Sequence, residues 1–222
     1  KLLTKKISGG KAVVETLKKM EVKHVFGLIG SATMEIFDAL YVCKSIKFIG
    51  VRDERTGTHM ADGYARSTGK HGVIIAGQNG PGATNLVTGV AQAAAAFSPV
   101  VAIAGAISTK DVGKDTFQEI DQQKLFEPIT KKTFSIKDTK SITRDLNIAL
   151  NLTTHGKWGP VHVNIPRDVL AGTEKFESFK IEDNSDFLPR NFIFHSSKSG
   201  AELHDFKPKL ACFSSFFNFS NN

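Results

Sequence analysis

An α/β protein is predicted over roughly the first 172 residues: a doubly wound, mostly parallel six-stranded sheet with helices on both faces, followed by an irregular C-terminal tail. Three observations predict it. Short β-branched runs alternate with segments of helical period, which is the pattern of βαβ units. The strand runs are nearly continuous in apolar residues, as in Val73-Ile74-Ile75-Ala76 and Val100-Val101-Ala102-Ile103-Ala104, and such runs suit strands covered on both faces. Turns rich in glycine and other small residues then follow the runs, at 30–32 and 77–82.

In chain order, Gly10 to Met20 reads as a helix with Val13, Val14 and Leu17 on one face. His24 to Ile29 is the first strand of the sheet and Met34 to Val42 the next helix. Ile46 to Val51 is the second strand, followed by a helix from about Glu54 to Ser67. Gly72 to Ala76 is the third strand, with a helix from Gly82 to about Ala96. Pro99 to Ala104 is the fourth, and a polar loop runs from Ala106 to about Gln118. A short strand near Thr133 to Ile136, a helix from Ser141 to Thr153 and a strand over Pro160 to Pro166 close the series.

From residue 173 onward the pattern stops. Residues 176–222 contain 10 of the chain's 17 phenylalanines, mixed with Ser, Asn and Lys at no sustained period. The expectation is a linker toward a further domain, a packing arm, or an aberrant segment.

The composition narrows the function classes. At 222 residues with 41% hydrophobic and 23% charged side chains, the chain can bury a full domain core. The net charge of +7 comes from lysines scattered along the chain, without interleaved aromatics, so no nucleic-acid partner is expected. No apolar run reaches the ~18 residues of a bilayer span, and no signal-peptide core opens the chain. Two cysteines, Cys43 and Cys212, form neither a metal spacing nor a disulfide framework. Together these favour a cytoplasmic protein with no membrane partner.

Four stretches carry possible chemistry. Glu54 follows a strand directly, at the edge where open parallel sheets bind ligands; alternatively, Asp53 and Glu54 simply answer a helix dipole. Gly77 to Ala93, GQNGPGATNLVTGVAQA, opens with glycines between strand and helix. Its spacing matches neither the dinucleotide fingerprint nor the P-loop, so taken alone it reads as a tight turn with Pro81 in the first helical turn. Gly30-Ser31-Ala32 follows the first strand at the same edge and offers backbone N–H groups, or is merely a turn needing small residues. Phe117-Gln118-Glu119 ends the long loop, and loops of that length are often functional. His59 and His162 have no partners at metal spacing and read as hydrogen-bonded structural histidines.

Taken together, these stretches make the chain resemble the N-terminal, pyrimidine-binding domain of the thiamine-diphosphate enzymes of the acetolactate synthase and sulfoacetaldehyde acetyltransferase group. The resemblance covers about Ser8 to Gly172. It rests on GLIGSA (27–32), RDExxGxHMADGYAR (52–66), NGPGATNLVTG (79–89), FQE (117–119) and GPVHVNIPRDV (159–169). It implies that Glu54 hydrogen-bonds N1′ of the cofactor's aminopyrimidine and so assists removal of the thiazolium C2 proton. The activated ring then attacks a 2-oxo acid such as pyruvate, CO₂ leaves, and a two-carbon unit passes to an acceptor.

By the same resemblance Gly30, Ser31 and Ala32 line the substrate side of the thiazolium, and Asn79, Gly80 and Pro81 pack near the aminopyrimidine. Phe117 and Gln118 face the reacting centre and the substrate across a homodimer, where Gln118 is the second catalytic candidate. Arg55 stands where acetolactate synthases commonly have Gln. The diphosphate and Mg²⁺ belong to a separate domain with a G-D-G motif, and these 222 residues contain no G-D-G and no expected metal ligands. Pairing through the small-residue helices would leave an apolar patch on an isolated chain. The alternative to an enzyme part is a non-catalytic structural or regulatory module of the same fold.

Overall fold

The computed structural model describes residues 6–176. The Phe-rich segment beyond Phe176, with the readings placed on it, lies outside the described residues, as does Cys212. Six strands form one sheet: β2 (His24–Gly27), β3 (Lys47–Gly50), β4 (Gly72–Ile75), β5 (Val100–Ala106), β6 (Thr133–Ser135) and β7 (Val161–Pro166). Their spatial order is β3-β2-β4-β5-β7-β6, and every adjacent pair is parallel. The expected six parallel strands are therefore all present.

Helices cover both faces. On one side α1 (Gly9–Lys19), α2 (Met34–Tyr41), α6 (Ile142–Thr154) and the short α7 (Arg167–Ala171) pack Leu17, Ile36, Leu146 and Leu170 over Val73, Ile75, Val101 and Val163. On the other, α3 (Glu54–Thr68), α4 (Pro81–Ala95) and α5 (Gln122–Phe126) pack Ala61, Ala65, Leu86, Val90 and Phe126 over Phe26, Ile74, Ala102 and Ala104. The central strands are buried from both directions, so their apolar runs show no alternation.

Local chemistry sets the helix ends. Ser8 caps α1 by accepting a hydrogen bond from the Lys11 amide, and Lys18 and Lys19 lie in its last turn, facing the negative end of the dipole. Asp53 caps α3, and Gly69 ends it in the left-handed conformation at φ 68°. Pro81 occupies the first turn of α4.

Two features depart from the sequence reading. A two-stranded antiparallel ribbon joins β1 (Lys6–Ser8) to β8 (Thr173–Lys175), with Ile7 opposite Glu174. The pairing thus continues past the expected boundary at residue 172. His162, expected to be a hydrogen-bonded histidine, is fully buried with both ring nitrogens unpartnered. It stacks on Phe126 with centroids 4.0 Å apart and the planes 8° from parallel.

Candidate functional site

The strand order creates the site. From β2 the chain first moves to β3 on one side, then crosses back over to β4 on the other. The reversal falls between β2 and β4, and at such a switch point the loops leaving the carboxyl ends diverge and open a crevice. Residues 28–33 and 76–80 line its two sides, and Glu54 comes from the end of neighbouring β3.

Asp53 and Glu54 are adjacent carboxylates with different environments. The short Asp53 side chain turns back along the helix, accepts from the Arg55 amide at 2.8 Å and pairs loosely with the Arg55 guanidinium at 3.5 Å. Asp53 thus caps the helix, while Glu54 is the acid in its first turn. Glu54 is the first residue of α3 and only 3% exposed. Its Oε2 accepts from the Asn85 side-chain amide at 3.0 Å, while Oε1 has only a long contact, 3.4 Å, from the Gly77 N–H. Burying a carboxyl group costs several kcal/mol unless it is hydrogen-bonded, and here one oxygen is well held and the other weakly.

The turn after β4 packs hard against the turn after β2. A Cβ on Gly30 would lie 2.0 Å from the Gly77 carbonyl oxygen, so the two backbones touch where only glycine fits. Across the same contact Ser31 Oγ and the Ala32 amide both donate to Gln78 Oε1, at 3.0 and 3.2 Å. Thr33 Oγ1 adds a bond of 2.9 Å to the Ala76 carbonyl. Gly30, Ser31 and Ala32 are thereby fixed beside the turn that leads to Asn79, Gly80 and Pro81.

That turn also holds the long loop. Asn79, 8% exposed, donates through Nδ2 to the Gln118 carbonyl at 3.1 Å and more weakly to that of Phe117 at 3.5 Å. Gly80 has φ 54°, and a Cβ there would meet the Gln118 carbonyl oxygen at 2.6 Å. Gln118 itself sits at φ 63°, a costly conformation for a residue with a side chain. Its Oε1 is buried without a partner, whereas Phe117 stands 83% exposed. Glu119 closes the loop on itself, accepting from the Gly113 and Thr116 amides. These bonds hold its carboxyl below the usual carboxylate range.

The structure therefore gathers Glu54, Gly30, Ser31, Ala32, Asn79, Gly80 and Pro81 around one crevice, and Asn79 ties Phe117 and Gln118 to its rim. Three contributors escaped the sequence reading. Asn85 holds Glu54; its signal was the four-residue spacing from Pro81, one helical turn along α4. Gln78 bridges the two turns. Gln122, 3% exposed, donates from Nε2 to the Gly105 carbonyl at 2.8 Å and anchors the far end of the loop.

The outward face of α3 and of the first turns of α4 is mostly polar, with Arg55, Thr56, His59, Thr84, Asn85 and Thr88 exposed beside Met60, whereas at the far end of α4 Ala95 and the following Phe97 are exposed and Ala91, Ala94 and Ala96 are half-buried. The small residues Gly57, Thr58, Ala61 and Gly89 instead face inward, where they let the two helices approach each other and the sheet. Among the described residues no three His, Cys, Asp or Glu side chains converge as a metal site, and no helix is long and apolar enough to cross a membrane.

Comparison with known proteins agrees with this geometry. The family described as thiamine pyrophosphate enzyme, N-terminal TPP binding domain, matches residues 7–125. The acetolactate synthase large subunit of Buchnera aphidicola subsp. Schizaphis graminum is 41% identical over 170 residues, covering 77% of this chain and 30% of the relative. The isozyme 3 large subunit of Escherichia coli is 41% identical over 169 residues, 76% of this chain and 29% of the relative. The large subunit of Lactococcus lactis is 38% identical over 200 residues, 90% of this chain and 33% of the relative. This chain spans about a third of the length of these relatives. With its crevice, its buried acid and more than half its length matched, the chain belongs to the thiamine pyrophosphate enzymes and represents their N-terminal TPP-binding domain.

Proposed function

We propose that this chain is the pyrimidine-binding part of a thiamine-diphosphate-dependent carboligase, which cleaves a 2-oxo acid such as pyruvate and transfers the two-carbon unit to an acceptor, in the manner of acetolactate synthases or sulfoacetaldehyde acetyltransferases. The observation that carries the reading is Glu54. Its carboxyl group is buried at the switch point, and its Oε1 keeps capacity for a stronger donor than the Gly77 amide. A module retained only for its fold would gain nothing from such an acid, since a buried carboxyl is a liability that an apolar residue removes.

Thiamine diphosphate, when bound, supplies the carbon nucleophile and the electron sink for decarboxylation. The residues here fit its pyrimidine end: Glu54 offers the acceptor for a ring nitrogen, and Gly30, Ser31, Ala32, Asn79, Gly80 and Pro81 form the close-packed turns beside that acceptor. Glu54 would hold that nitrogen by a hydrogen bond, in a position buried by α3 and α4. Gln118, whose Oε1 is buried and without a partner among the described residues, is the residue proposed to meet substrate, and Phe117 the one proposed to cover it. Mg²⁺ and the diphosphate would be held by another domain, since a hard cation needs several oxygen ligands that this set does not supply.

The exposure of Phe117 also supports a homodimer in which this loop reaches a second copy. The Lactococcus match supports the linker reading of the tail: 200 aligned residues end no earlier than residue 200. A cytoplasmic location completes the proposal.

Glu54→Gln tests it in the enzyme that contains this domain. General acid–base assistance is worth ~10²–10⁴-fold, so pyruvate consumption and C2–H exchange of bound thiamine diphosphate, followed by NMR, both fall by at least about a hundredfold. Exchange at the wild-type rate in Glu54→Gln would remove the acid from the mechanism.

A further inference from the structure

The Gln78 amide is oriented without ambiguity. The Ala32 backbone N–H is a donor under all conditions, and it points at the same Gln78 oxygen that receives the Ser31 hydroxyl. That oxygen must be the carbonyl Oε1, which settles the assignment that amide side chains otherwise leave open. With Oε1 turned into the Ser31–Ala32 turn, the Nε2 amino group is turned away from it. Nε2 has no acceptor among the described residues, and Gln78 is half-buried and reachable from solvent.

Gln78 also stands next to the acid. A side chain begun at Gly82 would start 3.2 Å from Glu54 Oε1 and 3.3 Å from Gln78 Cβ, so the acid and the base of the Gln78 side chain both pack against the first turn of α4. The same turn thus carries an acceptor, Glu54 Oε1 beside the Gly77 amide, and on the next residue a neutral donor held in place at its oxygen.

We propose that Gln78 is a substrate-binding residue, its Nε2 amino group donating to the carboxylate of the 2-oxo acid. This rests on the pyrimidine-domain reading above and extends it to substrate selection. Gln78 suits the role because it is neutral. A lysine or arginine would bind the carboxylate more strongly, but that charge becomes CO₂, and binding that is stronger in the ground state than in the transition state slows the step. An amide anchored at its oxygen orients the anion while adding little to the barrier.

The test uses the complete enzyme loaded with thiamine diphosphate, with methyl acetylphosphonate as a non-turnover mimic of pyruvate. Gln78→Glu keeps an oxygen for Ser31 and Ala32 but replaces the donor with an anionic acceptor. Gln78→Met keeps the bulk and lacks both charge and donor. Losing a hydrogen bond to a charged group, with repulsion added in the first variant, raises the Kd of the phosphonate and the KM of pyruvate about a hundredfold or more for Gln78→Glu and roughly ten- to hundredfold for Gln78→Met. The Kd of thiamine diphosphate stays within about twofold in both. An unchanged phosphonate Kd in both cofactor-loaded variants overturns the inference and leaves the proposed function standing. A wild-type enzyme that fails to bind thiamine diphosphate overturns both.

Discussion

Acid should weaken this fold through His162, and the size of the effect follows from its surroundings. The ring lies at 0% exposure inside β7, flat against Phe126, with no hydrogen bond to either nitrogen. Burial alone pushes its pKa down from 6.5 to about 3. Between those values the unfolded chain binds a proton that the folded chain does not, so stability is full above about pH 6.5 and falls as the pH drops. Each pH unit in that window costs about 1.4 kcal/mol. At pH 4.5 the loss is therefore on the order of 3 kcal/mol, a large fraction of a domain's typical 5–15 kcal/mol. The assay is urea unfolding of the wild type and of His162→Leu, a variant of similar volume that cannot titrate, at half-unit steps from pH 7.5 to 4.5. Other ionisable groups cancel in the difference between the two. The stability difference between the two should be constant above pH 7 and shift in the variant's favour below 6.5, by about 1.4 kcal/mol per pH unit. Curves that stay parallel down to pH 4.5 would show that the buried ring accepts a proton as readily as an exposed one, and the reasoning would fail.

Two further outcomes concern the site. Asn79→Ala removes the donor that holds the Gln118 carbonyl; with a net hydrogen bond worth about 1 kcal/mol and an unfavourable backbone at Gln118, amide exchange at Gly113 and Thr116 should quicken by roughly five- to thirtyfold. Exchange unchanged in that segment would mean that Glu119 alone sets the loop. If Phe117 meets a second copy, sedimentation of the chain at tens of micromolar should show dimer, and a stable monomer throughout would leave that exposed ring without its proposed neighbour.

Most of the sheet was legible because each parallel strand is buried on both faces and must be apolar along its whole length. Val73, Ile74 and Ile75 admit no alternation, and that is visible in one dimension. The longer helices were legible from their faces, as Val13, Val14 and Leu17 of α1 show, while the caps at Ser8 and Gly69 became visible only in the structure. The ribbon of β1 and β8 was not, because three-residue strands at opposite ends of the domain carry no period of their own. Only the partner across the fold makes Lys6 and Lys175 a pair. The five-residue α5 is too short to show a helical stripe, and the burial of Gln122 depends on the Gly105 carbonyl seventeen residues earlier. Alanine and glycine on a helix mark close approach, but not which face makes it.

The acid pair shows how sequence and structure divide the argument. From the residues alone, Asp53 and Glu54 were interchangeable answers to a helix dipole. The difference lies in side-chain length and phase. Asp53, at the cap, has an extended backbone at φ −157°, and its short side chain reaches the Arg55 amide, so its charge stays at the helix end. That capping bond fixes where the helix begins, and the residue after it takes helical geometry and points a quarter-turn onward, toward Gly77 and Asn85. Glu54 is therefore driven into the crevice by the very bond that occupies its neighbour. Its extra methylene carries the carboxyl group past the helix end to the switch point between β2 and β4. A carboxylate in that place is not needed to start a helix, because Asp53 already does so. The proposed contact with the cofactor's pyrimidine gives its burial a purpose.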